Sequence, residues 1–389
     1  MEGTQPQEES PLAGASSGVA TVPPFPAVVP VTDLDWVGIR AAADPAAVRA
    51  RMRTTVEAME TLLDRAEGPG LLFDGDRAFA EDRAIQVAAL DWDVPVWVIG
   101  DLHGDLLALE AALAQIRHAS AQAPAPPRIV FLGDFFDDEG FGLEVLLRVC
   151  ELIVEAPQRV CFVAGNHDEA LSFDGSRFAS SVSPSDFSDF LNANRAHEWI
   201  ERAGKLAVRL TARAPRALFL PDGLLVAHGG FPLADLHARL LETGDWNDPA
   251  CLSDFVWTRA HAKARRKLPN RFSRGSQFGY EDFRDFCGVA ARLGRPVTHM
   301  VRGHDHVEER YAVYPAYSTH PILTIIALSR RLPREQFGGH TRFPVVARLV
   351  PHSLPEVHQL HIPPEIVEAL FPPAVPPAEE EPAPQEAQP

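Results

Sequence analysis

Cysteine is scarce. Cys150, Cys161, Cys251 and Cys287 are the only four, and none is paired at the short spacing of a zinc ribbon or a redox motif, so they read as reduced core residues. Positive charge is scarce too. Lys and Arg total 36 against 53 Asp and Glu, and the resulting net charge of -17 repels a polyanionic backbone, which excludes nucleic-acid binding by bulk electrostatics. No apolar run approaches the length of a membrane span. The start, MEGTQPQEESPLAG, has no basic stretch followed by an apolar one, so it does not read as a secretory signal. The expectation is a cytoplasmic protein with no membrane partner. Hydrophobic residues at 46% nevertheless match an ordinary globular chain and predict a packed core, in one large domain or two modest ones.

Residues 1–30 are rich in Pro, Ser, Gly and Glu, and residues 363–389 in Pro, Ala and Glu, so both read as solvated, disordered tails. The stretch 31–90 reads as an N-terminal helical extension. Within it Val48, Met52, Val56, Met59 and Leu63 recur at helical spacing between Asp44 and Gly68, which predicts a helix packed on the outside of the core. Residues 91–350 form the main domain. From Val94 the texture changes to short β-rich runs, VPVWVIG, RIVFLG and RVCFVAG, each followed by polar residues and then by a helical pattern. Successive strand, loop and helix units imply parallel strands whose C-terminal loops gather at one sheet edge. Further on, Asp222-Gly223 between ALFL and LLVA predicts a hairpin turn, and VTHMV predicts another strand.

Five of these runs end in groups able to bind metal: Asp101 and His103; Asp134; Asn166 and His167; His228; and His304 and His306. A single Asp-x-His is more often a capped turn, and a single buried His more often a satisfied core group. Five such clusters, each directly after an apolar run, are a carboxylate, imidazole and amide set suited to two divalent metals. Hydrolysis of a phosphate ester needs a nucleophile at neutral pH and positive charge on the phosphoryl oxygens, and two metals about 3.5–4 Å apart provide both. Asp134 is the natural bridging carboxylate.

GDLHG at Gly100 to Gly104, GD at Gly133 with Asp137 three residues after Asp134, GNHD at Gly165 to Asp168, HGG at His228 to Gly230 and GHDH at Gly303 to His306 together resemble the ordered signature of calcineurin-like metallophosphoesterases. Within that superfamily the sequence is most similar to the PPP-type serine/threonine protein phosphatases. FVWTR at Phe255 to Arg259 and SRGSQFG at Ser273 to Gly279 resemble the segment that places a phosphate-binding arginine there. The resemblance implies an α/β fold, two mixed β-sheets in a sandwich flanked by helices. It also implies a metal-dependent phosphatase using two divalent ions, Mn, Fe, Zn or Ni with Mn favoured. Asp101, His103 and Asp134 would hold the first metal, and Asp134, Asn166, His228 and His304 the second. His167 resembles the proton donor to the leaving group, with Asp137 behind it. Arg274, with Asn166, would hold the substrate phosphate. Arg302, beside these ligands, reads as a structural cation. The expected partner is a phosphorylated protein or a small phosphoester.

Two departures bear on substrate. The phosphatases carry Arg directly after the second aspartate of GDxxDRG, whereas this chain reads GDFFDDEG, with Asp138 in that place. Asp138 and Glu139 read as exposed loop carboxylates, with Arg274 or Arg177 as candidate partners for Asp138. His306 is uncommon in protein phosphatases, but in the wider superfamily a histidine there completes the first metal site. These departures keep a nucleotide-directed hydrolase, acting on dinucleoside polyphosphates or cyclic nucleotides, as an alternative, with a catalytically silent binding module behind it. RAHAKARRK at Arg259 to Lys267 reads as a solvated helix face.

Overall fold

The computed structural model describes residues 22–266, 274–335 and 338–373. The expected tails fall largely outside these, at residues 1–21 and 374–389, as does Lys267 at the end of the basic run. Two mixed six-stranded sheets stack face to face. One runs in spatial order Val28–Val31, Glu356–Leu360, Val345–Arg348, Val96–Ile99, Arg128–Phe131, Val160–Phe162; the other runs Tyr311–Val313, Ile322–Ile325, His299–Arg302, Leu224–Ala227, Ala217–Phe219, Ala84–Gln86.

Alternation along the strands explains the layers. In Val96–Ile99, Val96 and Val98 join the core between the sheets, where they meet Val226, Val301, Leu323 and Ile325. Trp97 and Ile99 point the opposite way, into a second core under the helices Leu106–Ala119 and Gly142–Glu155. Successive strand side chains face opposite sides, so a run that is apolar throughout must be covered on both. A third core covers the outer face of the other sheet, with Phe231, Phe255, Phe283 and Phe286 packed beneath the helices Pro249–Trp257 and Tyr280–Arg292.

Topology gathers the loops. Val96–Ile99, Arg128–Phe131 and Val160–Phe162 are parallel neighbours, and so are Leu224–Ala227 and His299–Arg302 in the second sheet. The Asp222-Gly223 turn does join antiparallel strands, Ala217–Phe219 and Leu224–Ala227. Asp101 forms a parallel bridge with Ile326, which seams the two sheets at the edge where these loops emerge.

Residues 31–90 contain the helices Trp36–Ala42, Pro45–Ala50 and Met52–Leu63, the last with Met52, Val56, Met59 and Leu63 buried against the Gly142–Glu155 and Glu198–Arg213 helices. That stretch also lends the second sheet its edge strand Ala84–Gln86, and the end of the expected N-terminal tail is not a tail but the edge strand Val28–Val31 of the first sheet, paired with Glu356–Leu360. Where the basic run is described it is not a helix. Arg259 and Ala260 are extended and pair with Gln277 and Phe278, while Arg265 and Arg266 turn to Asp285 and Asp235 on the surface.

Candidate active site

All five predicted clusters converge where the two sheets meet. Asp101, His103, Asp134, Asn166, His228 and His304 are buried, and His306 is partly so. Short loops make this possible only through strained backbone. His103, Asp134 and His304 have φ of 37°, 52° and 70°, a left-handed region that costs a non-glycine residue about 1–3 kcal/mol. Hydrogen bonds between loops hold these conformations. The Leu102 and His103 amides donate to the Asp134 carbonyl at 3.0 and 2.8 Å, the Gly303 amide to the His228 carbonyl at 3.1 Å, and the His304 amide to Asp101 Oδ2 at 2.9 Å. Gly133, at φ 90°, approaches Gly165 so closely that a Cβ there would lie 2.2 Å from its amide nitrogen.

The candidate ligand atoms form three overlapping sets: Asp101, His103 and His306 bring one donor atom each within 4.8 Å of one another, and so do His103, Asp134 and His167, and Asp134, His228 and His304. The first and the last share no residue and are the two candidate ion sites. Asp134 lies between them, with Oδ2 3.6 Å from His103 Nε2 and 3.4 Å from His228 Nε2. The Nδ1 atoms of His103 and His228 contact the Phe136 and Leu132 carbonyls at 3.1 and 2.8 Å. A proton fixed on Nδ1 leaves the Nε2 lone pair facing the centre, which is how a metal-binding histidine is oriented. Asp101 Oδ1 and His103 Nε2 have no hydrogen-bond partner despite full burial. Unpaired buried donors around a shared centre, in an oxygen and nitrogen set, fit two divalent ions.

Charge in this cluster is finely divided. Burial pushes the Asp101 carboxyl up, and it also holds the His103, His304 and His306 imidazoles well below their usual range, in the neutral form that ligates. Asp134 is held well below the carboxylate range because the neighbouring His228 and His167 outweigh its burial.

Beside the cluster, His167 Nδ1 lies 2.6 Å from Asp137 Oδ2, and Asp137 Oδ1 accepts the Phe187 amide at 2.9 Å. Burial works against the charged imidazole, but the Asp134 charge and the Asp137 hydrogen bond prevail and raise its pKa. A polar cavity of about 890 Å³ opens over these groups, lined among others by Asn166, His167, Arg259, Arg274 and Arg334. Arg274 is exposed there, its guanidinium 4.7 Å from the Trp257 ring centre. Arg302 is fully buried instead, bonded to the Gly229 carbonyl and, at 2.6 Å, to Asp305. It braces the loop that carries His304 and His306.

Asp138 departs from the sequence expectation. It is buried, not exposed, and it pairs neither with Arg274 nor with Arg177: its Oδ2 accepts from Arg334 at 2.6 Å and lies 3.1 Å from His103 Nδ1. A left-handed φ of 62° and a 2.9 Å bond from its amide to Asp186 turn the carboxylate inward. Glu139 is the exposed member of the pair. Sequence reasoning also missed Asp168, which accepts from the Asp134, Phe135 and Gly165 amides at 2.7, 3.3 and 2.9 Å and so ties two ligand loops together. Its place directly after His167 was the available signal. Arg334 and Glu335 stand in no motif, and only the folding back of their loop brings them here.

The chain is similar to several known proteins. A serine/threonine-protein phosphatase of Caenorhabditis elegans is 25% identical over 236 residues, which cover 59% of this chain and 47% of that protein. The chain thus spans about half the length of the curated relative it matches. A protein serine/threonine phosphatase of Saccharomyces cerevisiae, described as similar to human phosphatase PP5, superposes with a TM-score of 0.50 at 15% identity, covering 79% of this chain and 83% of the other. A cold-active protein-tyrosine phosphatase of a Shewanella species gives 0.42 at 15% identity, over 74% and 84%. The calcineurin-like phosphoesterase family matches residues 94–308, more than half of the sequence and the whole span from the first ligand strand to His306, and the chain belongs to that family.

Proposed function

We propose that this protein hydrolyses phosphate monoesters, with phosphoserine or phosphothreonine in a protein as substrate. The observation that carries this reading is the His167–Asp137 pair at 2.6 Å beside the Asp134 junction, with His167 lining a cavity that Arg259, Arg274 and Arg334 also line. Asp101, His103, Asp134 and His306 would hold one divalent ion, and Asp134, Asn166, His228 and His304 the other, with manganese favoured. When bound, two such ions acidify a water and neutralise phosphoryl oxygens.

The chain's own residues supply the remainder. Arg274 binds the phosphoryl group through charge-assisted hydrogen bonds, and its stacking on Trp257 limits the rotamers it must give up. As water oxygen bonds to phosphorus, the ester P–O bond breaks and the departing alkoxide takes a proton from His167 Nε2. Asp137 keeps the Nδ1 proton in place and stabilises the charged imidazole before transfer. The net charge of -17 disfavours nucleic acid in bulk, whereas the cavity, lined by Arg259, Arg274 and Arg334, attracts small anions.

A nucleotide-directed hydrolase is the second reading, favoured by the position of His306 Nε2, 3.5 Å from Asp101 Oδ2, and by Asp138 in place of an arginine. The test compares manganese-loaded wild type and Arg274→Ala on a phosphothreonine peptide and on a dinucleoside polyphosphate. Release of phosphate from the peptide, crippled by the substitution, supports the phosphatase. Cleavage of the nucleotide alone replaces it with the second reading, and turnover of neither points to a binding module.

A further inference from the structure

Arg334 enters the cavity from the loop that follows the strand Ile322–Ile325. We propose that Arg334 binds the substrate phosphoryl group in place of the family arginine that this chain lacks, with Asp138, which stands at that arginine's position, as its positioning residue. The proposal rests on the phosphomonoesterase reading above for the identity of the substrate.

Three observations of its side chain support it. Arg334 lines the same cavity as Asp134, Asn166, His167 and Arg274, so its guanidinium borders the space a phosphoryl group would fill. Among the described residues its hydrogen-bond partner is Asp138, engaged through one nitrogen at 2.6 Å. A guanidinium has five N–H donors, so one such contact fixes its place and leaves donors for an anion. Its side chain is 38% exposed, facing the opening and not sealed into the core.

The loop that carries it is anchored on both sides of the residue. The Ser329 amide and hydroxyl both donate to Asp105 at 2.7 Å, and Arg330 donates to the Asp138 carbonyl at 2.8 Å. Glu335 binds the buried Arg310, with Nη2 3.0 Å from Oε2. That bond also settles the charge balance at the rim, because Glu335 is compensated by Arg310 and Arg334 is left to offset Asp138. Without Arg334, the Asp138 carboxylate beside His103 would face an incoming dianion and repel it. Arg259 stands elsewhere on the rim, its Nη1 bound to Asp305 at 3.1 Å and to the His304 carbonyl at 2.9 Å, so it offsets Asp305 and not Asp138.

The test measures calorimetric binding of inorganic phosphate to the manganese-loaded full chain, for wild type, Arg334→Ala, Arg334→Lys and Arg331→Ala. Arg331 lies on the same loop, outside the cavity lining, and controls for loss of one positive charge. The expected result is a loss of about 10- to 100-fold in phosphate affinity for R334A, partial recovery in R334K, and a change below about 3-fold in R331A. Thermal melts of each variant establish that the fold is kept. Equal binding by R334A and wild type overturns the proposal, as does an equal loss in R331A, or a wild type that binds no phosphate. Phosphate binding does not require turnover. A wild type that binds phosphate through Arg334 yet releases none from a phosphothreonine peptide therefore contradicts the phosphatase reading and leaves this one standing.

Discussion

His167 shows how much of the chemistry depends on one hydrogen bond. With Asp137 at 2.6 Å from Nδ1, the imidazole can carry protons on both nitrogens, and Nε2 can release one to a leaving group. In Asp137→Asn the amide instead donates to Nδ1, so a proton on Nε2 belongs to a neutral imidazole and is given up far less readily. The Asn oxygen can still accept the Phe187 amide, which keeps the loop in place. The expected outcome is a fall in kcat of about 100-fold or more with little change in KM or metal content. Steady-state kinetics of the variant on a phosphothreonine peptide checks it, and an unchanged kcat removes His167 from the proton-transfer role.

At the scale of elements, the ligands depend on loops that hold one another. Asp168 belongs to the short helix Asn166–Ala170 and accepts backbone amides from its own loop and from the one carrying Asp134. Asp168→Ala strands three buried donors, and we expect it to destabilise the fold by about 2–4 kcal/mol and to release metal. Urea denaturation with metal analysis measures both; full metal content at wild-type stability would show that the loops hold without it. Here the limits of sequence reasoning are visible. The parallel run of the first strands, the convergence of the five polar clusters and the Asp222-Gly223 hairpin were legible because each rests on local alternation or on a residue directly after an apolar run. The partners of Asp138 were not, because Arg334 lies 196 residues away and only the fold brings the two together. Nor was the edge strand Val28–Val31, whose sequence, containing Pro30, reads as part of a tail until Glu356–Leu360 pairs with it.

For the whole molecule, two sheets seamed at one edge place a polar site above three apolar cores, and buried ionisable groups far from that edge still couple stability to pH. His299 is fully buried at the opposite end of its strand from His304, and burial lowers its pKa to about 4, against a partial counter-effect from Asp222. The folded state therefore binds fewer protons here than the unfolded one between about pH 6.5 and 4, so stability falls as pH drops through that window. The contribution of this group amounts to about 3 kcal/mol. His299→Gln should flatten the curve of unfolding free energy against pH by a similar amount, as urea titrations at stepped pH would reveal; parallel curves for the two proteins would locate the acid sensitivity elsewhere.

The central claim is that the two donor sets joined by Asp134 form one hydrolytic centre for two divalent ions. Titration of the metal-free full chain with manganese, followed by phosphate release from a phosphothreonine peptide, tests it most directly. The account predicts negligible release without metal and a rise that saturates at two equivalents per chain. Release that is independent of manganese, or that is complete without any divalent ion, would contradict it.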